Sequence, residues 1–293
     1  MTASRPTDII REHCLCPLPL IWPDKQCGDI DKAISLHQKT LELTPASHPR
    51  RYATLNNLAL ALSARFDQAG DLGDINEVIT LHREALELFP VSNPNRSASL
   101  NNVANALNRR FNMTRQPADI EEAISLHREA LRLRAAPHPD RSMSLIGLAN
   151  ALTTRFSQNS RFGDIDEAIT LHQEALTLRP TPHPNRTRSL SALAHSLGNK
   201  FLKLRNFPDL EAATMAFRAA VKYDYAPASQ CFHAARLWAR HADVYHESAL
   251  EAYQAAIELL PQLAVLDMDL QSCQEVLLSR SDGLACNAAA CAI

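Results

Sequence analysis

Residues 163–180 read GDIDEAITLHQEALTLRP, and variants of this stretch recur along the chain. Its acidic-plus-aliphatic start appears as Asp29-Ile30, Asp74-Ile75, Asp119-Ile120, Asp164-Ile165 and Asp209-Leu210, 45 residues apart each time. In the copy that begins at Asp74, Ile75, Val78, Ile79, His82, Ala85, Leu86 and Phe89 fall at steps of three and four, so they share one helical face. Asp74, with Glu77 three residues on, stands where an N-cap is expected and brings carboxylates to the positive helix end. Pro90 is placed to stop the helix.

A second apolar segment follows each of the first four copies and ends in Arg-Phe or Lys-Phe. Leu55, Leu58, Ala59, Leu62 and Phe66 form its stripe, repeated as Leu100, Val103, Ala104, Leu107 and Phe111. The proline ahead of it (Pro49, Pro94, Pro139, Pro184) suits a first-turn position, where the missing N–H costs nothing. Each unit is therefore two amphipathic helices. One such pair cannot bury both its apolar faces, so neighbours must stack. The expected fold is all-α: a right-handed α-solenoid of antiparallel helix pairs with a 45-residue repeat. Residues 28–261 form the array, an orphan helix plus five pairs. Residues 1–27 do not fit the repeat and read as an irregular lead, and residues 262–293 read as capping helices or a linker.

The spacing from Leu55 onward resembles the tetratricopeptide repeat. Leu58 and Ala59 take the large–small pair of the first helix; Val78, His82, Ala85 and Pro90 take the small, aromatic, small and proline positions of the second. Ala249, Tyr253, Ala256 and Pro261 show the same pattern, as do Ala213, Phe217 and Ala220. The run Leu55-Asn56-Asn57-Leu58-Ala59, echoed at Leu100–Ala104, looks like the long-repeat subtype of kinesin light chains. His48-Pro49, His138-Pro139 and His183-Pro184 support that, with Asn93-Pro94 departing. The repeat here is longer, because the first helix extends to Phe66 and a Gly-Asp loop follows. From Ala249 to the Ala-rich Ala285–Ile293 the chain also resembles the region that links such arrays to a caspase-like CHAT protease domain in large fungal proteins; on that resemblance this chain stops before the protease.

Composition narrows the function classes. With 7 Gly among 293 residues, 46% apolar and 21% charged residues, the chain suits a helix-rich soluble protein. A formal charge of −2 gives no reason to expect nucleic acid or an anionic membrane as partner. No run approaches the roughly 20 apolar residues of a membrane-spanning helix, and no secretory leader is apparent, so a cytoplasmic location is expected. The seven cysteines (Cys14, Cys16, Cys27, Cys231, Cys273, Cys286, Cys291) are odd in number and crowded at the ends, which fits free thiols rather than a disulfide framework or a zinc site. There is no Gly-rich phosphate loop, HExxH, GxSxG or Cys-x-x-Cys. An enzyme, a cofactor and a metal site are not expected.

Three ladders recur once per repeat. His37, His82, His127 and His172 lie on the apolar face. Successive helices stand about 8–10 Å apart, too far to share an ion whose ligand nitrogens lie within about 2.1 Å, and Phe217 and Tyr253 take the same register later. These histidines are packing groups. Arg51, Arg96, Arg141 and Arg186 follow the His/Asn-Pro; they either bind anions on a partner or tie the loop to a helix's C-terminal carbonyls. On the face of the first helix away from its apolar stripe stand Asn56, then Asn101, Asn105, Asn108 and Arg109, then Asn150, then His195 and Asn199. Asparagine is a mediocre helix former, and its amide both donates and accepts, as an extended peptide requires. Resemblance to kinesin light chains implies that Asn56 and Asn101 grip a peptide in this way. A plain solvated face would carry the same residues. The reading is a non-catalytic scaffold that binds a protein or peptide partner in an inner groove. The alternative is the regulatory arm of a CHAT protease. Either end of the array could also dock on another copy.

Overall fold

A computed structural model of the chain describes residues 24–90, 93, 95–242 and 248–265. Eleven α-helices and no strand lie among the described residues: α1 (Asp24–Glu42), α2 (Arg51–Ala69), α3 (Leu72–Glu87), α4 (Arg96–Thr114), α5 (Pro117–Leu133), α6 (Arg141–Asn159), α7 (Phe162–Thr177), α8 (Arg186–Leu204), α9 (Phe207–Val221), α10 (Ala228–Ala242) and α11 (Ala249–Val265). Most of the segment expected to be an irregular lead, and residues 266–293, lie outside the described residues. So do Cys14, Cys16, Cys273, Cys286 and Cys291 and the side chain of Cys27. Helix α1 already opens at Asp24. Helix α11 runs through Pro261 to Val265, so that proline does not end it as its register suggests.

The helix starts differ from expectation in an informative way. Each first helix of the long type begins at the arginine after the His/Asn-Pro-x turn, so Pro49, Pro139 and Pro184 lie in the turn ahead of the helix and not in its first turn. The residue before the proline closes that turn. His48 Nδ1 accepts from Arg50 N–H at 3.1 Å, His138 Nδ1 from Asp140 at 3.1 Å and His183 Nδ1 from Asn185 at 3.1 Å. Asn93 Oδ1 does the same for Asn95 at 2.8 Å. A short side-chain acceptor two residues ahead of an N–H is an Asx-type turn, and histidine Nδ1 reaches the same spot as asparagine Oδ1. That explains why His and Asn alternate there. The following arginine ties the turn down: Arg51, Arg96, Arg141 and Arg186 donate through Nη1 to the carbonyls of Thr44, Phe89, Arg134 and Arg179.

Asp74 is not an N-cap. It is the third residue of α3, and its carboxylate is held by Arg65, with Nε to Oδ2 at 2.9 Å and Nη2 to Oδ1 at 2.7 Å. Arg110 grips Asp119 in the same way, and Arg155 grips Asp164. The Arg-Phe that ends one helix and the Asp-Ile that starts the next are thus two halves of one lock. Just beyond each Phe the chain leaves its helix through a left-handed residue, Gly70, Arg115, Ser160 or Arg205, whose N–H returns to the Phe carbonyl at 2.7–2.8 Å.

The chain forms two compact units, residues 1–81 and 82–293. In the first, α1 packs on α2, and Leu55, Leu58, Leu62 and Ile75 are fully buried. The second is a stack of antiparallel pairs: α4 with α5, α6 with α7, α8 with α9 and α10 with α11, each pair packing on the next through α5–α6, α7–α8 and α9–α10. Its core runs through Phe111, Ile120, Leu148 and Leu152 to a larger cluster around Phe217, Trp238 and Tyr253. The first helices also touch one another, α4 with α6, α6 with α8 and α8 with α10. Between α5 and α7 an open cleft of about 750 Å³ remains, with Leu148 of α6 in its floor. Tighter spacing of the first helices than of the second makes the first-helix side the inner face of this unit.

Candidate functional site: the inner face of the second unit

The residues expected to line a groove divide into three kinds. Asn105 on α4 and Asn150 on α6 occupy the same register, one repeat apart, and both are exposed. Their side chains stand off the stack because the apolar stripe of each helix faces the other way. Arg109, one turn beyond Asn105, is half-buried and already makes contacts of its own. Asn56 lies in the first unit, also half-buried, and its Oδ1 has no partner among the described residues. Asn108 Oδ1 is likewise buried and unpartnered.

Asn101 is different, and here the sequence reading needs correction. It is only 8% exposed, and both ends of its amide are engaged: Nδ2 donates to Ser144 Oγ at 2.8 Å and Oδ1 lies 2.9 Å from His127 Nδ1. Its amide joins three helices of the stack and is not open to a peptide. His195 and Asn199 are also bound inward. Asn199 Nδ2 donates to His195 Nε2 at 3.1 Å, which leaves the proton on Nδ1; that nitrogen donates to His241 Nε2 at 2.9 Å. The ring of His241 stacks on Phe217, centroids 5.8 Å apart, and lies against Gly198, where a Cβ would come within 2.5 Å of Nδ1.

Three rungs of the histidine ladder, His82, His127 and His172, are buried, and His37 is half-buried. His127 is 1% and His172 0% exposed, and burial pushes His82 and His127 down to about 4 and His172 to about 3. For His172 the His195 ring adds to the effect. His127 fits because Gly147 leaves room for its ring. No group of three His, Cys, Asp or Glu able to hold a metal occurs among the described residues. Cys231 is buried and free, with its thiol pushed up first by burial and then by Asp224.

A feature of the inner face escaped the sequence reading. His233, Arg236 and Arg240 follow one another at steps of three and four on α10, all exposed, and Arg188 of α8 is exposed near them. His233 is held below its ordinary range first by burial, then by Arg236 and Arg188. His195 is pushed down to about 4 by burial, then by Arg240 and His233. The signal was the helical spacing of the basic residues, visible once α10 is recognised as a first helix whose apolar stripe includes Phe232, Ala235 and Trp238.

The arrangement defines a helical-repeat protein with a polar inner face. The family model of the tetratricopeptide repeat matches residues 53–92. Among solved structures the chain is similar to a putative kinesin light chain from Podosopora anserina with nearly identical TPR-like repeats, at 21% identity and a TM-score of 0.48, covering 67% of this chain and 90% of that one. It is similar to BtubC (BKLC) from P. vanneervenii at 15% identity and a TM-score of 0.48, covering 80% and 89%. It is also similar to YrrB, a TPR protein with an unusual peptide-binding site, at 17% identity and a TM-score of 0.39, covering 83% and 97%. At TM-scores below 0.5 none of the three bears on what this chain binds. No match was found among curated proteins. No helix among the described residues is long and apolar enough to cross a membrane.

Proposed function

We propose that the chain is a non-catalytic scaffold whose inner face takes an extended segment of a protein partner, with Asn105 and Asn150 reading its backbone. The observation that carries this is the pair of exposed amides in one register on two helices that touch. A peptide in the polyproline II conformation advances about 9 Å per turn of three residues, close to the roughly 8–10 Å between packed helices. Equivalent peptide groups would thus meet successive asparagines, each of which can donate and accept at once. Asn108 and Arg109 border the Asn105 site, and His195 takes the same register on α8 with Asn199 beside it; Asn56, in the first unit, holds the register of Asn101. Asn101 holds the stack in shape, so it supports the face without touching the ligand.

Affinity capture from native lysate tests the reading, comparing the wild type with Asn105→Ala/Asn150→Ala. Partners retained by the wild type should be lost by the variant while helix content and Tm stay unchanged. Equal capture by both proteins would remove the asparagines from recognition.

A further inference from the structure

The inner face is not uniform along the second unit. On α4 and α6 it carries Asn105, Asn150 and the exposed Met143, with the half-buried Arg109 already engaged in contacts of its own. On α8 and α10 it carries Arg188, His233, Arg236 and Arg240, all exposed. Helices α8 and α10 pack on each other and are joined by the His195–His241 hydrogen bond of 2.9 Å. The three residues on α10 form one stripe by their spacing. Among the described residues no carboxylate pairs with Arg188, Arg236 or Arg240; Arg236 lies over the Phe232 ring at 5.8 Å. His233 and His195 feel these arginines, which pull both of them down after burial has done so.

The outer surface is arranged differently. In the cleft between α5 and α7, Arg128 is bonded to Glu167, Arg141 to Glu174, and Arg155 to Glu121 and Asp164. Those three guanidinium groups are already paired within the protein. Among the described residues the arginines of the α8–α10 face have no such carboxylate, in a chain whose formal charge is −2. Like charges spaced three and four residues apart on one helix repel each other, so a bound anion would stabilise this face. Three guanidinium forks and an imidazole suit a doubly charged oxyanion better than a single carboxylate, because each fork offers paired N–H donors and the imidazole can take up a proton as the anion arrives.

We infer that Arg188, Arg236, Arg240 and His233 form an anion subsite at the α8–α10 end of the inner face, which takes a phosphate group carried by the bound peptide. This rests on the reading of the inner face as a peptide groove. The asparagines then set the position of the backbone, and the arginine stripe chooses segments phosphorylated a few residues from that point.

Fluorescence anisotropy of the full chain with a short fluorescein-labelled Gly/Ser/Pro peptide carrying two phosphoserines tests the inference. Its unphosphorylated form and a form with glutamate at both positions are run beside it. The phosphopeptide should bind at least about tenfold tighter than either, a difference of about 1.4 kcal/mol. Arg236→Ala/Arg240→Ala and Arg188→Ala should remove that preference with the circular dichroism melt unchanged. Equal affinity for the three peptides, or undiminished preference in both arginine variants, overturns the subsite. Equal affinity for the glutamate peptide alone makes it a carboxylate site and overturns the phosphate assignment. Displacement by inorganic phosphate at the peptide's own concentration range makes it a site for the free ion and overturns the peptide-borne source. Loss of binding in Asn105→Ala/Asn150→Ala but not in the arginine variants keeps the groove and removes the subsite; the converse keeps the subsite and removes the asparagines.

Discussion

Arg155, near the end of α6, and Asp164, in the first turn of α7, lie fork to carboxylate, with Nε to Oδ2 at 2.7 Å and Nη2 to Oδ1 at 2.8 Å, both side chains about nine-tenths buried. A third contact reaches from Arg155 Nη1 to Glu121 on α5. One guanidinium therefore fixes the angle within a helix pair and the seat of that pair on the previous one. The same geometry recurs at Arg65 with Asp74 and Asp31, where the third partner is again 34 residues back. At Lys200 the ammonium has no fork, and it reaches only that third partner, Asp166, at 2.9 Å.

Removing the carboxylate while leaving the buried guanidinium should be costly. Asp164→Ala is expected to destabilise the second unit by about 3 kcal/mol, the range for breaking a buried pair on one side. A urea unfolding series reads this as a lower midpoint. A shift equivalent to less than about 0.5 kcal/mol would show that the lock does not hold the repeat together.

Ser160 sits at φ 52, in the register that Gly70 fills at φ 69. Arg115 and Arg205, the other non-glycines in that register, lay their guanidinium groups over Phe111 and Phe201; serine has no such compensation. Ser160→Gly should therefore stabilise by about 0.5–1 kcal/mol. The expected sign is a higher Tm, and a lower one would contradict the assignment of strain.

The buried histidines make the fold acid-sensitive. Their folded pKa values, about 4 for His82 and His127 and about 3 for His172, lie below the unfolded value of about 6.5. The unfolded chain therefore binds more protons between those limits, and stability is fully present above about pH 6.5 and falls as the pH drops toward about 4. Neither nitrogen of His172 has a partner among the described residues. Phe217 and Tyr253 fill the same register in the last two pairs, so His172→Phe should be tolerated at pH 7 and should widen its advantage over the wild type at pH 5. Thermal melts at the two pH values check this; a gap that narrows on acidification would refute it.

Asn101 and Asn105 should separate cleanly. Asn101→Ala strips partners from His127 and Ser144 in a buried network and is expected to cost about 1–3 kcal/mol. Asn105→Ala, on the exposed face, should stay within about 0.5 kcal/mol of wild type. Chemical denaturation of the two single variants gives the answer, and equal losses would mean that Asn105 is structural as well.

The helices themselves were legible because their information is periodic and local. Ile75, Val78 and Ile79 announce a buried face by spacing alone, and repetition every 45 residues announces stacking. The helix ends differ from expectation where the partner lies on another helix, close in space but outside the local sequence pattern. Asp74 and Glu77 have the composition of a capping box, but a guanidinium nine residues back at Arg65 outcompetes the helix's own N–H groups for the carboxylate. Asn56, Asn101 and Asn105 looked alike for the same reason. Whether an amide faces solvent or a neighbouring histidine depends on the next helix, and a helical register close to the edge of the apolar stripe falls on either side of it.

By itself the sequence determined an all-α stack of two-faced helix pairs and the register that repeats in each, since hydrophobic periodicity is a property of a single helix. Only the tertiary structure decided which polar residues the stack consumes. Asn101, His195 and the arginine of each Arg-Phe are drawn inward by groups on other helices, whereas Asn105, Asn150 and the α10 stripe are left outside. A hydrogen bond or ion pair needs two groups within about 3 Å, and that proximity is set by how the helices pack.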